Sequence, residues 1–333
     1  MKARDELREP TGCADADTEQ EPAFDYLRVS VTDRCQLSCA YCRRPEETLS
    51  QSVPLPLSHL MDCCAAICAS APIRKIRLSG GEPLLRSDLP ELVSRLANLH
   101  TRPEVTLTTN GVLLAERASE LAAAGLSRLN VSLDSADAAA YTTLTRFAAL
   151  ARVLRGLAAA RAAGFRGTKI NTVLTQSLGT REIEGLLSVA ADHEAMLRFI
   201  ELMPIGLGPG FYGVNYLSAD EGLRRIAGAT QSLISVTSTM HPRFAATLAD
   251  GREVLVEMIA PMSRPFCSDC RRIRLSCDGT LIPCLLSPMR LPLMDAGGRL
   301  PNTAAFRALL RQCADLKRRA GDLSLQRMWA IGG

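Results

Sequence analysis

Six short β-rich segments separated by Ala/Leu-rich helical stretches constrain the fold of this chain more than any other feature. The strand candidates are YLRVSVT from Tyr26, IRKIRLSG from Ile73, EVTLTTNG from Glu104, SRLNVSLD from Ser127, GTKINTVL from Gly167 and MLRFIELM from Met196. Helical pattern fills the intervals, around residues 57–70, 87–99, 113–124, 147–163 and 180–192. Repeated strand-then-helix order predicts an α/β fold built on a parallel sheet or partial barrel.

The strands also share a polar face. Arg28, Ser30 and Thr32 alternate with Leu27, Val29 and Val31; Lys75, Arg77 and Ser79 alternate with Ile76 and Leu78; Asn130, Ser132 and Asp134 alternate with Leu129, Val131 and Leu133; Lys169 and Asn171 flank Ile170. In a (β/α) barrel the helices cover the outer face, so the polar face is predicted to line the lumen. A lumen holding Arg28, Lys75, Arg77 and Lys169 repels itself unless an anion or water fills it.

Past Met203 the pattern changes. PIGLGPG reads as a loop, a short helix follows from about Ser218, and LISVTST and EVLVEMIA are strand-like. In PFCSDCRRIRLSCDGTLIPCLLS, Asp278-Gly279 between two apolar runs reads as a hairpin turn, which would fold Cys284 back toward Cys267 and Cys270. A length of 333 residues with 47% hydrophobic content allows one barrel-like domain with an extension or two domains. The division expected is a tail at 1–22, a barrel at 23–217 and an extension at 218–333. The formal net charge of +4 is modest and dispersed, which argues for neither nucleic acid nor membrane as a partner. The first residues are polar with no apolar h-region, and no apolar run approaches membrane length, so the expectation is a soluble, cytoplasmic chain.

Twelve cysteines, with clusters at ligand spacing and no secretory signal, fit metal binding in a reducing compartment better than disulfides. Cys35-x3-Cys39-x2-Cys42 follows the first strand, where ligand-bearing loops of parallel α/β folds lie. A structural zinc site would use four Cys or His ligands, and no His is near. Three thiolates on a four-iron cluster leave one iron open to a ligand that is not protein. Cys267, Cys270 and Cys284 form a second such set. Cys63, Cys64 and Cys68 lie in a helical run and read as buried thiols, Cys13 and Cys313 show no partner, and His193 and His241 lack metal-site spacing.

The cysteine triplet with Tyr41 before its last member, together with Gly80-Gly81-Glu82-Pro83 after the second strand, resembles the radical S-adenosylmethionine (radical SAM) superfamily. DYLRVSVTDRC, IRLSGGEPLLR, LTTNG, LNVSLD, KINTVL, RFIELMP, PFCSDCRRIRLSCDG and the terminal IGG resemble, in order, the blocks of the MoaA family, the GTP 3′,8-cyclases of molybdenum cofactor biosynthesis. The likeness runs from about Phe24 to Gly333. It implies a partial (β/α)6 TIM-like barrel of the radical SAM type, with a C-terminal extension carrying a second iron–sulfur cluster.

By that resemblance, Cys35, Cys39 and Cys42 hold a [4Fe–4S] cluster whose open iron chelates S-adenosyl-L-methionine, and Tyr41, Gly81, Ser132 and Met203 contact that cofactor. Cys267, Cys270 and Cys284 hold the second [4Fe–4S] cluster, whose open iron binds the guanine of GTP. Arg28, Lys75, Arg77, Thr108, Lys169, Arg198, Arg272, Ile273 and Arg274 contact GTP. The 5′-deoxyadenosyl radical takes the ribose 3′ hydrogen, and C3′ attacks guanine C8. Arg272, Arg274, Gly332 and Gly333 are the catalytic residues so implied, the last two entering the cavity as a tail free of side chains. The implied partners are an electron donor such as flavodoxin or ferredoxin and a cyclic pyranopterin monophosphate synthase that takes the product. The implied assembly is a monomer or homodimer.

The chain departs from the family at Cys277, where a small residue is usual, at Arg43-Arg44 and at Trp329. A thiol at 277 either closes the fourth iron position of the second cluster or stands by. Two rival readings are a radical peptide maturase with an auxiliary cluster, which needs no triphosphate clamp, and a cluster-bearing binding protein, which needs no GGEP turn.

Overall fold

The alternation carried by the sequence folds into a continuous run of parallel strands. The computed structural model describes residues 24–42, 53–205, 209–237, 239–267, 269–285, 289–295 and 297–330, without the side chains of 209–210 and 318–330. The tail expected at 1–22, Cys13, Arg43-Arg44 and the Gly332-Gly333 end lie outside the described residues. Strands β1 (Tyr26–Ser30), β2 (Lys75–Ser79), β3 (Glu104–Thr109), β4 (Arg128–Ser132), β5 (Lys169–Leu174) and β6 (Met196–Glu201) pair in sequence order, all parallel. Between them run α1 (Leu57–Ser70), α2 (Leu89–Ala97), α3 (Leu114–Ala123), α4 (Ala138–Thr145), α5 (Leu150–Ala162) and α6 (Thr180–Asp192).

The apolar face of each strand turns to the helices. Leu27, Val29, Ile76, Leu78, Val105, Leu107, Val131, Ile170 and Leu197 are fully or almost fully buried, as are Leu60, Ile67, Leu92, Leu121, Val153 and Leu186 on the helices. Each such side chain contributes about 1.5–3 kcal/mol when removed from water, so the core lies between sheet and helices and the polar face is left for the lumen. Cys63, Cys64 and Cys68 belong to this core on α1, and burial pushes the Cys63 thiol up to about 12 and the Cys68 thiol up to about 11.

The C-terminal third joins the same sheet. It contains α7 (Pro209–Asn215), α8 (Ala219–Gly228), β7 (Ser232–Thr237), β8 (Arg243–Thr247), β9 (Glu253–Ile259), β10 (Arg272–Leu275), β11 (Thr280–Ile282), β12 (Leu291–Pro292) and α9 (Thr303–Ala330). β9 pairs parallel with β6 and β10 pairs parallel with β1, giving the order β12-β11-β10-β1-β2-β3-β4-β5-β6-β9-β8-β7. The segment expected as an extension therefore supplies a strand to each edge of the six-stranded barrel sheet. Gly279 has a φ of 83°, which the hairpin between β10 and β11 requires. Among the described residues no helix is long and apolar enough to cross a membrane.

Candidate active site

The first cysteine loop is held against the second strand's turn by backbone contact. Gly81 N–H donates to Thr32 O at 2.7 Å and Glu82 N–H to Arg34 O at 2.7 Å. A Cβ on Gly80 would sit 2.2 Å from Thr32 O, and one on Gly81 would sit 2.1 Å from Arg34 O. These glycines are required because two backbones touch. The other side of the loop is tied to α4, with Ser38 N–H donating to Thr145 O (3.0 Å) and Ala40 N–H to Leu144 O (2.8 Å).

Cys35, Cys39 and Cys42 lie together in this loop: the Cys39 thiol is pushed far up, first by burial and then by Asp134, Cys42 and Cys35. Cys35 Sγ accepts from Leu37 N–H (3.4 Å) and Asn110 Nδ2 (3.7 Å), and sulfur acceptors of this kind suit thiolate ligands. Among the described residues no three His, Cys, Asp or Glu side chains group closely enough to hold one metal ion. A four-iron cluster makes a different demand, since it spreads its thiolates over separate irons.

The lumen behind this loop is cationic. Register places Arg274 on β10 beside Arg28 on β1, and Arg28 beside Arg77 on β2. Burial lowers all three side chains' pKa values, Arg77 to about 10 and Arg274 to about 9, and each is lowered further by neighbouring arginines. Guanidinium groups stay charged in proteins, so this lowering reports the cost of burying them and, after it, repulsion between them, both of which a bound anion would relieve. Tyr26 Oη, Arg28 Nε, Thr108 Oγ1 and Asn171 Oδ1 are buried with no hydrogen-bond partner among the described residues. Each such atom costs about 1–3 kcal/mol, and a polar ligand would satisfy them.

The second cysteine set opens on the same space. A cavity of about 320 Å³ is lined by Arg28, Arg77, Arg272 and Arg274 together with Cys267, Cys270 and Cys284, and its apolar wall includes Met203 and Phe266. Burial alone would raise the Cys270 thiol, but Lys317 and Arg272 bring it below its ordinary value, which favours the thiolate. The hairpin thus brings Cys284 to Cys267 and Cys270. Cys277 lies in the turn after β10, is buried, and does not line the cavity.

Comparison with known proteins agrees with this two-part site. Residues 29–190 match the Radical SAM superfamily and residues 195–322 match Molybdenum Cofactor Synthesis C. A GTP 3′,8-cyclase of Rhodopirellula baltica is 38% identical over 82% of this chain and 77% of its own length. One of Pseudomonas putida is 40% identical over 79% of each chain. The chain belongs to the GTP 3′,8-cyclase family. Among solved structures, Streptococcus suis SuiB bound to precursor peptide SuiA superposes with a TM-score of 0.61 at 11% identity, covering 85% of this chain and 64% of that one. Native anSMEcpe with bound AdoMet superposes with a TM-score of 0.57 at 15% identity, over 84% of this chain and 82% of that one. At such identities the likeness is one of fold.

In this GTP 3′,8-cyclase family member several of the residues expected to contact GTP or S-adenosylmethionine also have partners within the protein. Ile273 turns its side chain into the core with no exposure and does not line the cavity. Tyr41 donates its hydroxyl to Asp134 Oδ2 at 2.5 Å, which anchors the cysteine loop to the end of β4. Lys75 pairs with Glu104 at 3.1 Å. Lys169 and Arg198 share Glu257, at 3.5 Å for Lys169 Nζ and 2.5 Å for Arg198 Nε to the same oxygen. Of the four lumenal cations expected to need an anion or water, Lys75 and Lys169 thus have acidic partners in the protein, whereas Arg28 and Arg77 have none among the described residues.

Sequence reasoning missed the acids and amides that organise the site. Glu82 is fully buried and accepts from Thr109 Oγ1 (2.6 Å), Asn110 N–H (2.7 Å) and Leu84 N–H (3.0 Å), joining the GGEP turn to the LTTNG block. Lys317 of α9 donates to Arg272 O and lines the cavity. A lone charged residue in an amphipathic helix carries no signal of this kind.

Proposed function

We propose that this chain cyclises GTP to (8S)-3′,8-cyclo-7,8-dihydroguanosine 5′-triphosphate, the first step of molybdenum cofactor biosynthesis, with the triphosphate held by Arg28, Arg77, Arg272 and Arg274. The observation that carries the reading is that lumenal arginines with no acidic partner among the described residues share one cavity with the second cysteine triplet. Cys35, Cys39 and Cys42 would hold one [4Fe–4S] cluster and Cys267, Cys270 and Cys284 the other. When bound, the first cluster with S-adenosyl-L-methionine supplies hydrogen abstraction by a carbon radical, and the second supplies an open iron for the base.

The protein's part is orientation and exclusion of water. Arginine forks fix the phosphates, and that fixes the ribose against the cysteine loop across the lumen. Met203, Ile200, Ile259 and Phe266 give the cavity an apolar wall, and Arg272 stacks its guanidinium 5.0 Å from the Phe266 ring. A dry wall protects a reactive intermediate and strengthens each charged contact. A low-potential donor such as flavodoxin or ferredoxin would deliver electrons from outside. Ser132 at the end of β4 and Gly81 flank the loop where the methionine moiety would bind. Gly332 and Gly333 are assigned here as the family resemblance implies.

The test is an anaerobic incubation of reconstituted protein with S-adenosylmethionine, a reductant and GTP, followed by mass analysis of the nucleotide. Formation of 5′-deoxyadenosine and a cyclised triphosphate supports the reading. Cofactor cleavage that is independent of GTP, with GTP recovered intact, overturns it and favours a different radical substrate.

A further inference from the structure

Glu257 is the buried acid that the lumen of this GTP-binding reading does not need. Its side chain is 4% exposed and stands on β9 in register with Arg198 on β6, which is in register with Asn171 on β5. Its Oε2 accepts from Arg198 Nε at 2.5 Å and lies 3.5 Å from Lys169 Nζ, while Oε1 accepts from Arg243 Nε at 2.9 Å. One carboxylate thus serves three cations. Across the lumen Arg28, Arg77, Arg272 and Arg274 line the cavity with no acidic partner among the described residues.

The geometry points to Glu257 as a specificity-determining residue that occupies Lys169 and Arg198 in the place of a substrate oxygen, confining the triphosphate to the β10–β1–β2 side of the lumen. This rests on the reading of the cavity as a GTP site. The physical reason is competition: a carboxylate buried beside the cavity, behind Arg198, repels a polyanion and satisfies the cations that would otherwise attract it. Arg198 reaches the cavity wall, but its Nε and one terminal nitrogen already face Glu257. Burial and then Arg198 depress the Lys169 ammonium to about 8 even with Glu257 beside it, and the carboxylate cancels one of the three positive charges in this corner and takes up the donors that face it. The carboxylate limits how tightly substrate and product, which carry the same triphosphate, are retained.

The experiment is equilibrium binding of GTP to the anaerobically reconstituted protein, without S-adenosylmethionine, for wild type, Lys169→Met, Glu257→Gln, the double variant and Arg77→Ala. Glu257→Gln keeps the volume and removes the charge. It should tighten GTP by about tenfold. Lys169→Met should change affinity by less than about threefold in wild type and weaken it about tenfold in the Glu257→Gln background. An unchanged or weaker affinity in Glu257→Gln overturns the inference, as does an equal effect of Lys169→Met in both backgrounds. If Glu257→Gln does not fold, a tenfold loss from Lys169→Met in wild type still overturns it, and a loss below threefold supports it. An Arg77→Ala variant that binds GTP as wild type does removes the lumenal site itself, and the inference falls with it.

Discussion

Arg28 and Arg274 stand side by side on neighbouring parallel strands, β1 and β10, although one is near the start of the described chain and the other in its C-terminal third. Both guanidinium groups are depressed, first by burial and then by neighbouring arginines, Arg272 and Arg198 for Arg28 and Arg28 and Arg272 for Arg274, so a bridging anion stabilises the pair. Arg274→Ala should weaken GTP binding by roughly 1.5–3 kcal/mol, the scale of a charge-assisted hydrogen bond. Because the two residues share one ligand, the Arg28→Ala, Arg274→Ala pair should lose less than the sum of the single losses. Equilibrium dialysis with GTP measures both. Guanosine should bind alike to all variants, and a guanosine affinity equal to that for GTP in wild type would refute the phosphate assignment.

The two cysteine sets are separable because they belong to different segments of the chain: one follows β1 and the other flanks β10, its neighbour in the sheet. Reconstituted protein should bind about eight irons, and triple alanine replacement of Cys267, Cys270 and Cys284 should leave about four. Cysteine at 277 should not rescue the loss, since it is buried in the turn after β10 and does not line the cavity. Iron and sulfide analysis gives the count, and an undiminished iron content in the triple variant would eliminate the second cluster.

How far the sequence could be read follows from which interactions have a local pattern. Alternation at Arg28/Val29 and Arg77/Leu78 marks inner and outer faces because strand side chains repeat every two residues, and six strands and five helices were visible for that reason. α4 was not, since AAAYTTLT has no strong amphipathic period and depends on Asp137 accepting from Ala139 and Ala140 N–H. β8 was not, because RFAAT gains its pairing from β7 and β9 on either side. The lumen's positive residues could be listed from alternation, whereas their counter-charges could not: Glu104 and Glu257 reach Lys75 and Lys169 only through sheet register.

Lys169 makes stability depend on pH in a definite direction. Its ammonium is depressed by burial and by Arg198 from 10.5 to about 8, so the charged form is disfavoured in the fold. Below that value both folded and unfolded chains carry the proton and the full cost is present. Between about 8 and 10.5 the folded chain releases it while the unfolded chain retains it, so stability rises with pH through this window. Relative to Lys169→Met, wild type should gain on the order of 1 kcal/mol between about pH 7 and about pH 9.5. Thermal unfolding of both proteins under anaerobic conditions measures it, and a difference that shrinks toward alkaline pH would contradict the assignment.

Gly81 links the fold to the first cysteine loop most directly. A methyl group there would lie 2.1 Å from Arg34 O and 2.6 Å from Asp33 O, and those atoms are backbone, which cannot rotate away. Relief requires the Thr32–Cys35 segment to move off the turn, breaking the Gly81 N–H to Thr32 O and Glu82 N–H to Arg34 O bonds. Gly81→Ala should therefore lose the ligand geometry of Cys35 and, with it, about four of the eight irons. Cys267, Cys270 and Cys284 line a cavity to which Gly81 does not contribute, so the remaining iron should persist and GTP should still bind with an affinity within about threefold of wild type. Iron content, reductive S-adenosylmethionine cleavage and GTP binding on one preparation distinguish this from general unfolding, in which all three are lost together. Retention of full iron and cleavage by Gly81→Ala would show that the loop tolerates displacement from the turn.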